Sequence, residues 1–99
     1  MTVDPHAILR NKVIKRVLDG EGVAAPGRRR GAFERKGAPP ELQVLLDKVE
    51  AHAYEVTDDD LRGLQAKYSD DELFEIIVSA ALGASERRLL AGLEALEEA

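Results

Sequence analysis

The chain has 99 residues, which suffices for one small domain but not for two hydrophobic cores. Aromatic residues make up only 4% of it and no segment alternates with the period of a strand, so the composition predicts an aliphatic core of packed helices. Cysteine is absent, which excludes disulfides, thiol catalysis and thiolate metal sites, and the formal net charge is −5.

The first predicted helix covers residues 4–19. Asp4 is a suitable N-cap, and Pro5 suits the first helical turn. Leu9 and Val13 belong to an apolar series that recurs every four residues, whereas lysine and arginine occupy much of the remaining surface. The pattern is typical of an amphipathic helix with a cationic face.

The segment 20–38 is rich in Gly, Pro and Arg and has weak apolar periodicity, so it predicts either a short helix around residues 30–35 or a flexible arm. Residues 1–38 contain nine Lys or Arg against four Asp or Glu, whereas residues 39–99 contain five against fifteen. These opposite charges can attract each other within one chain or between subunits. We therefore predict a basic N-terminal helix and arm over residues 1–38 and a helical core over residues 39–99.

Two capping patterns follow a helix that the sequence predicts over residues 39–54. Thr57 with Asp60 forms a variant of the capping box, and Ser69 with Glu72 forms the usual Ser-x-x-Glu box. The second box begins a long helix that runs to the C-terminus.

This last helix is apolar around most of its circumference between residues 73 and 84. A helix of this kind is buried on nearly all sides, and a chain of this length supplies little cover. We therefore predict a homo-oligomer in which a second subunit covers part of the helix. The predicted interface residues are Leu73, Ile77, Ala80, Ala81 and Ala84.

Residues 40–97 resemble the carboxymuconolactone decarboxylase and AhpD-like superfamily. The resemblance implies an all-α antiparallel bundle of about four or five helices that assembles as a dimer, trimer or hexamer. The matching residues are Val56, Thr57, Asp58, Asp60, Leu61, Leu64, Tyr68, Ser69, Asp70, Asp71, Phe74, Glu75, Arg88 and Leu89.

The resemblance also implies two kinds of chemistry. The peroxidase branch of the superfamily uses a Cys-x-x-Cys pair, so a chain without cysteine cannot be a thiol peroxidase. The decarboxylase branch works by acid–base chemistry, which leaves Glu75 as a candidate base and His52 as a candidate acid. The plainer interpretations are a carboxylate paired with an arginine such as Arg88, and a histidine at a helix C-terminus.

A basic cluster in the arm is the second candidate site. An acidic partner or nucleic acid could bind it, but the acidic net charge and the scarcity of aromatic residues argue against nucleic acid. A solvated arm, or one bound to the acidic helices, is the plainer interpretation. The cluster consists of Arg28, Arg29, Arg30, Arg35 and Lys36.

The functional hypothesis is a non-catalytic, oligomeric AhpD-like protein that acts as an interaction or accessory module. The alternatives are a cofactor-free acid–base enzyme and a small regulator that binds an acidic partner or nucleic acid through its arm. No phosphate loop or zinc pattern is present, so we expect no cofactor and no metal. No apolar run approaches the roughly 20 residues of a membrane span, and no signal peptide is visible, so we expect a cytoplasmic protein.

Overall fold

A computed structural model describes residues 5–52 and 55–98, with side chains from residue 7 onward. These ranges contain five helices and no strand, which confirms the all-α prediction and the long C-terminal helix. Asp4 and Tyr54 lie outside the described residues. The helices are α1 (Pro5–Asp19), α2 (Pro26–Glu34), α3 (Pro40–His52), α4 (Asp58–Arg62) and α5 (Asp70–Glu98).

The hydrophobic core lies where α2 and α3 pack against the first half of α5. Ile76 of α5 and Leu42 of α3 are completely buried at its centre. Burial of a leucine or isoleucine side chain contributes about 1.5–3 kcal/mol, so each of these two residues stabilises the fold substantially. The remaining core residues are Ala24, Ala32, Leu45, Leu46, Val49, Leu64, Tyr68, Leu73 and Ala80.

Helix α2 shows that the Gly, Pro and Arg-rich segment is ordered and belongs to this core. Pro26 stands in its first turn, and Arg35 ends it in the left-handed conformation with φ 58°. Ala24 and Ala32 are buried among the leucines of α3 and the apolar residues of α5. The boundary expected at residue 38 therefore passes through one shared core, and the short helix is the alternative that the structure supports.

The close approach of α2 to α5 accounts for part of the apolar circumference of α5. A Cβ atom on Gly83 would lie 2.2 Å from the carbonyl oxygen of Phe33, so only glycine allows this packing. Leu73, Ala80 and Ala84 are at most 4% exposed within the single chain. The chain itself therefore buries these three side chains, which the sequence pattern predicts at the interface with a second subunit. A second subunit cannot contact them in this fold.

Both predicted capping boxes are present. Asp60 receives a 2.8 Å hydrogen bond from the backbone N–H of Thr57, while the Thr57 hydroxyl accepts one from the backbone N–H of Asp60. Ser69 and Glu72 make the corresponding pair of bonds at 3.1 and 3.2 Å. The boxes fix where α4 and α5 begin, and thereby the shape of the surface between these two helices.

Candidate functional site

Glu75 points from α5 at the backbone that leads into α2. The Val23 N–H lies 3.0 Å from its Oε1 and 2.8 Å from its Oε2, and the Ala24 N–H donates to Oε2 at 2.8 Å. A carboxylate that accepts hydrogen bonds from backbone amides makes strong, charge-assisted contacts. Both oxygens therefore hold the α1–α2 connection against α5, rather than pairing with Arg88 as the sequence suggested.

Gly22 leaves the space that this contact needs. A Cβ atom at this position would lie 1.9 Å from Oε1 of Glu75, which is far inside any normal contact distance. Gly22 therefore makes the contact between Glu75 and the backbone of Val23 possible. This contact joins positions that are 52 residues apart in the sequence.

Arg29 is buried, with 3% of its surface exposed, and it fastens the end of α1. Its guanidinium donates to the carbonyl oxygens of Val17 at 2.8 Å, Gly20 at 2.7 Å and Ala24 at 3.1 Å. Val17 lies in the last turn of α1 and Gly20 directly follows it, where backbone acceptors lack helical partners and a cation is favourable, while Ala24 precedes α2. The basic pattern of the sequence places Arg29 among the binding residues of the arm, but its donors are used inside the fold.

Arg87 connects α5 to both α2 and α3. Its guanidinium donates to the two carboxylate oxygens of Glu50, at 3.0 and 2.5 Å, and to the carbonyl oxygen of Phe33 at 2.7 Å. The Arg87 hydrogen bond lowers the pKa of Glu50 below its ordinary value. The neighbouring Arg88 donates to the carbonyl oxygens of Glu50 and Ala51 at the end of α3. Arg87 therefore stabilises the packing of α5 against α2 and α3, and Arg88 stabilises its packing against the end of α3.

The two residues of the acid–base hypothesis lie near different parts of α5. Glu75 meets the start of α2, whereas His52 is the exposed last residue of α3, next to the carbonyl that Arg88 reaches. Arg88 lies thirteen residues beyond Glu75, which is ~20 Å along a helix. Neither Glu75 nor His52 lines any of the cavities and grooves described below.

The basic cluster of the arm does not form one continuous patch. Arg29 is buried, Arg30 pairs with Asp19 at 2.7 Å, and Arg35 pairs with Asp47 at 2.8 Å. Lys36 is exposed and Arg28 is half-buried. The arm is therefore bound largely to acidic side chains and carbonyls of its own chain.

A small cavity and two surface grooves accompany the core. The cavity beside α2 measures about 20 Å³, room for roughly one water molecule, and is lined partly by Gly31 and Lys36. The first groove has a volume of about 350 Å³ and lies on the exposed side of α1. We call the residues that line it the basic face. The basic face consists of Leu9, Lys12, Val13 and Arg16.

The second groove lies between α4 and the first turns of α5 and measures about 450 Å³. It is defined here as the acidic groove. Its apolar floor consists of Leu61, Phe74 and Ile77, with the buried Leu73 beneath them, and its polar rim consists of Asp58, Gln65, Asp70 and Asp71.

Large apolar side chains also remain exposed on the second half of α5. We call this group the leucine stripe, and its members are between 41% and 73% exposed. The stripe lies beyond the part of α5 that α2 and α3 cover. It consists of Leu89, Leu90, Leu93 and Leu96.

Within residues 5–52 and 55–98, no group of three His, Asp or Glu side chains could hold a metal ion, and no helix is long and apolar enough to cross a membrane. Comparison of the chain with protein-family models, with curated proteins and with solved structures gives no match. The AhpD-like resemblance therefore stays a prediction from the sequence.

Proposed function

We propose that this protein is a non-catalytic interaction module that self-associates through exposed apolar helix surfaces. The observation that carries the proposal is the contrast between its polar and apolar groups. The polar side chains that sequence patterns favoured for chemistry, Glu75 above all, hold the chain's own backbone, while large apolar side chains stay exposed.

The leucine stripe is one of the exposed apolar surfaces of this proposal. Leu89, Leu93 and Leu96 recur at intervals of four and three residues, which places them along one side of α5. Exposed apolar patches of this kind on a small domain mark interaction sites, because their burial is favourable and their exposure promotes association. The proposed role as an AhpD-like accessory protein is compatible with such assembly, since members of that superfamily assemble through packed helices.

Two matched variants test self-association. Leu93→Glu places a charge in the stripe, and Val44→Glu places the same charge on a side chain that is 74% exposed on α3. We expect sedimentation analysis to show an oligomer for the wild type and for Val44→Glu, and a smaller species for Leu93→Glu. A wild type that stays monomeric contradicts the proposal.

A separate assay addresses the non-catalytic part of the proposal. The purified protein is incubated with a lactone of the carboxymuconolactone type and with a peroxide, and turnover is followed for the wild type and for Glu75→Gln. We expect no turnover above the buffer rate from either protein. Turnover by the wild type that disappears in the variant would show that Glu75 acts as a base and would contradict the proposal.

A further inference from the structure

We propose that the acidic groove of one molecule binds the basic face of α1 from a second copy of this chain. The inference deepens the proposed self-association and depends on it, because it names the two surfaces that meet. It assigns contacts to parts of the chain that lie outside the leucine stripe.

The acidic groove has the shape and composition of a helix-binding surface. Phe74 is 68% exposed on its floor, beside the half-buried Leu61 and Ile77. An amphipathic helix binds such a surface by placing apolar side chains one turn apart into it. Neither Asp58 nor Asp71 on the rim forms an ion pair with another residue that the structure describes.

The basic face of α1 complements this surface. Leu9 and Val13 lie one helical turn apart and are 62% and 47% exposed. Lys12 and Arg16 lie on the same side of the helix, and neither forms an ion pair within the described part of the chain. Apolar anchors flanked by unpaired cations match an apolar floor flanked by unpaired carboxylates, which favours this pairing over others.

The α1 helix of the same chain cannot reach the groove. Its C-terminal end is held by Arg29, and its Arg10 pairs with Glu86 at 3.0 Å. Ile77 is the last residue of the groove floor along α5. Glu86 lies nine residues beyond it, which is ~14 Å further along the helix. An α1 helix that binds in the groove therefore comes from another molecule.

The charges favour contact between α1 and the groove over contact between two leucine stripes. Glu94, Glu97 and Glu98 flank the stripe, so a second stripe would bring like charges close together. The basic face of α1 meets no such repulsion in the groove. Because the donor and acceptor surfaces differ, this contact is heterologous and can extend from molecule to molecule into a ring or a filament.

Mixing two full-length variants tests the contact directly. The first, labelled with ¹⁵N, carries Leu9→Glu and Val13→Glu, so its α1 cannot donate but its groove is intact. The second, unlabelled, carries Phe74→Glu, so its groove is blocked but its α1 is intact. Both also carry Leu93→Glu to remove the leucine stripe. All four positions are exposed by more than 40%, so the fold should tolerate the changes.

We expect the unlabelled chain to shift the amide resonances of residues 58–77 in the labelled chain. A labelled chain that also carries Phe74→Glu is the control and should show no shifts there. Unchanged resonances at residues 58–77, or shifts confined to residues 89–96, would overturn the inference. If the wild type is nevertheless oligomeric in sedimentation, only the assigned surfaces fail and the proposed self-association stands. A monomeric wild type with no shifts refutes both.

The charge complementarity has its own readout in the same titration. Adding Lys12→Glu and Arg16→Glu to the unlabelled chain should raise its dissociation constant more than about tenfold. The matched control, Lys36→Glu with Arg62→Glu, changes the net charge equally but lies outside both surfaces and should leave the constant within about twofold. Equal effects of the two pairs would show that net charge alone is responsible and would contradict the inference.

Discussion

The carboxylate of Glu75 accepts hydrogen bonds from the backbone amides of Val23 and Ala24, which join the second turn of the last helix to the segment just before α2. This contact explains how a basic N-terminal segment is held on an acidic helical core. It also explains why a glutamate lies in an otherwise apolar stretch of α5. Glu75, the candidate base of the sequence pattern, is a structural anchor in this fold.

Replacing Glu75 with glutamine tests the anchor. The amide keeps one acceptor oxygen but turns an N–H₂ group toward a backbone donor, and the charge assistance is lost. Hydrogen bonds to charged groups contribute ~1.5–3 kcal/mol, so we expect the free energy of unfolding to fall by about 1–3 kcal/mol. Urea denaturation followed by circular dichroism measures the change. Glu94→Gln, at an exposed site on the same helix, is the control and should change stability by less than about 0.5 kcal/mol.

Arg29 should be sensitive even to a conservative substitution. A lysine in its place presents one compact ammonium group, which cannot reach the carbonyl oxygens of Val17, Gly20 and Ala24 in the way that the fork of a guanidinium does. Loss of two of these bonds at a buried site predicts a destabilisation of about 2–4 kcal/mol. Arg28→Lys, on the adjacent half-buried residue, should be nearly neutral. Equal stability of the two variants in urea would show that Arg29 does not fasten α1.

A pair of glycines in α5 provides a test of the α2–α5 packing. Gly83→Ala would force a Cβ atom to within 2.2 Å of the Phe33 carbonyl oxygen, so we expect a loss of about 1–3 kcal/mol from overpacking. Gly92→Ala meets no atom within 4 Å and should stabilise the helix by up to about 1 kcal/mol, because alanine is the better helix former. Thermal unfolding should therefore move in opposite directions for the two variants. A gain in stability for Gly83→Ala would contradict the close approach.

Glu41 should make stability depend on pH in the acid range. Its hydrogen bond from Lys67, supported by its own backbone N–H and by the Tyr68 hydroxyl, lowers its pKa from 4.5 to about 2. Because the folded pKa lies below the unfolded one, its stabilising contribution is complete above pH 4.5 and disappears as the pH falls toward 2.

Urea midpoints measured between pH 6 and pH 2 check this dependence. We expect the wild type to lose more stability than Glu41→Gln across the window from pH 4.5 to pH 2. Glu97→Gln, an exposed control near the C-terminus, should follow the wild type. Parallel curves for all three proteins would show that the Glu41 contact with Lys67 and Tyr68 does not form.

The sequence predicted those features whose partners lie close together along the chain. The capping boxes of Thr57 with Asp60 and of Ser69 with Glu72 span three residues each, so local spacing suffices to identify them. The helices, the all-α class and the apolar faces followed from periodicity. The positions of Glu75 and Arg29 did not, because their partners are backbone groups that carry no side-chain signature.

The cover of α5 was mispredicted for a related reason. The segment that contains Ala24 and Ala32 has few large apolar residues, so it gave no sign of belonging to the core. Small residues pack a helix close to its neighbour and exclude water without producing a strong hydrophobic pattern. A second subunit was therefore predicted to cover Leu73, Ala80 and Ala84, which α2 and the rest of the chain already bury. The leucine stripe, the basic face and the acidic groove remain open to another molecule.

The mass of the wild-type chain in solution tests self-association most directly. Light scattering on a sizing column, at several loading concentrations and at low and high salt, measures it without any substitution. At low salt we expect a mass of at least two chains of 10.8 kDa each. The mass should decrease as salt screens the contact between α1 and the groove. A mass of 10.8 kDa at every concentration and salt would contradict self-association.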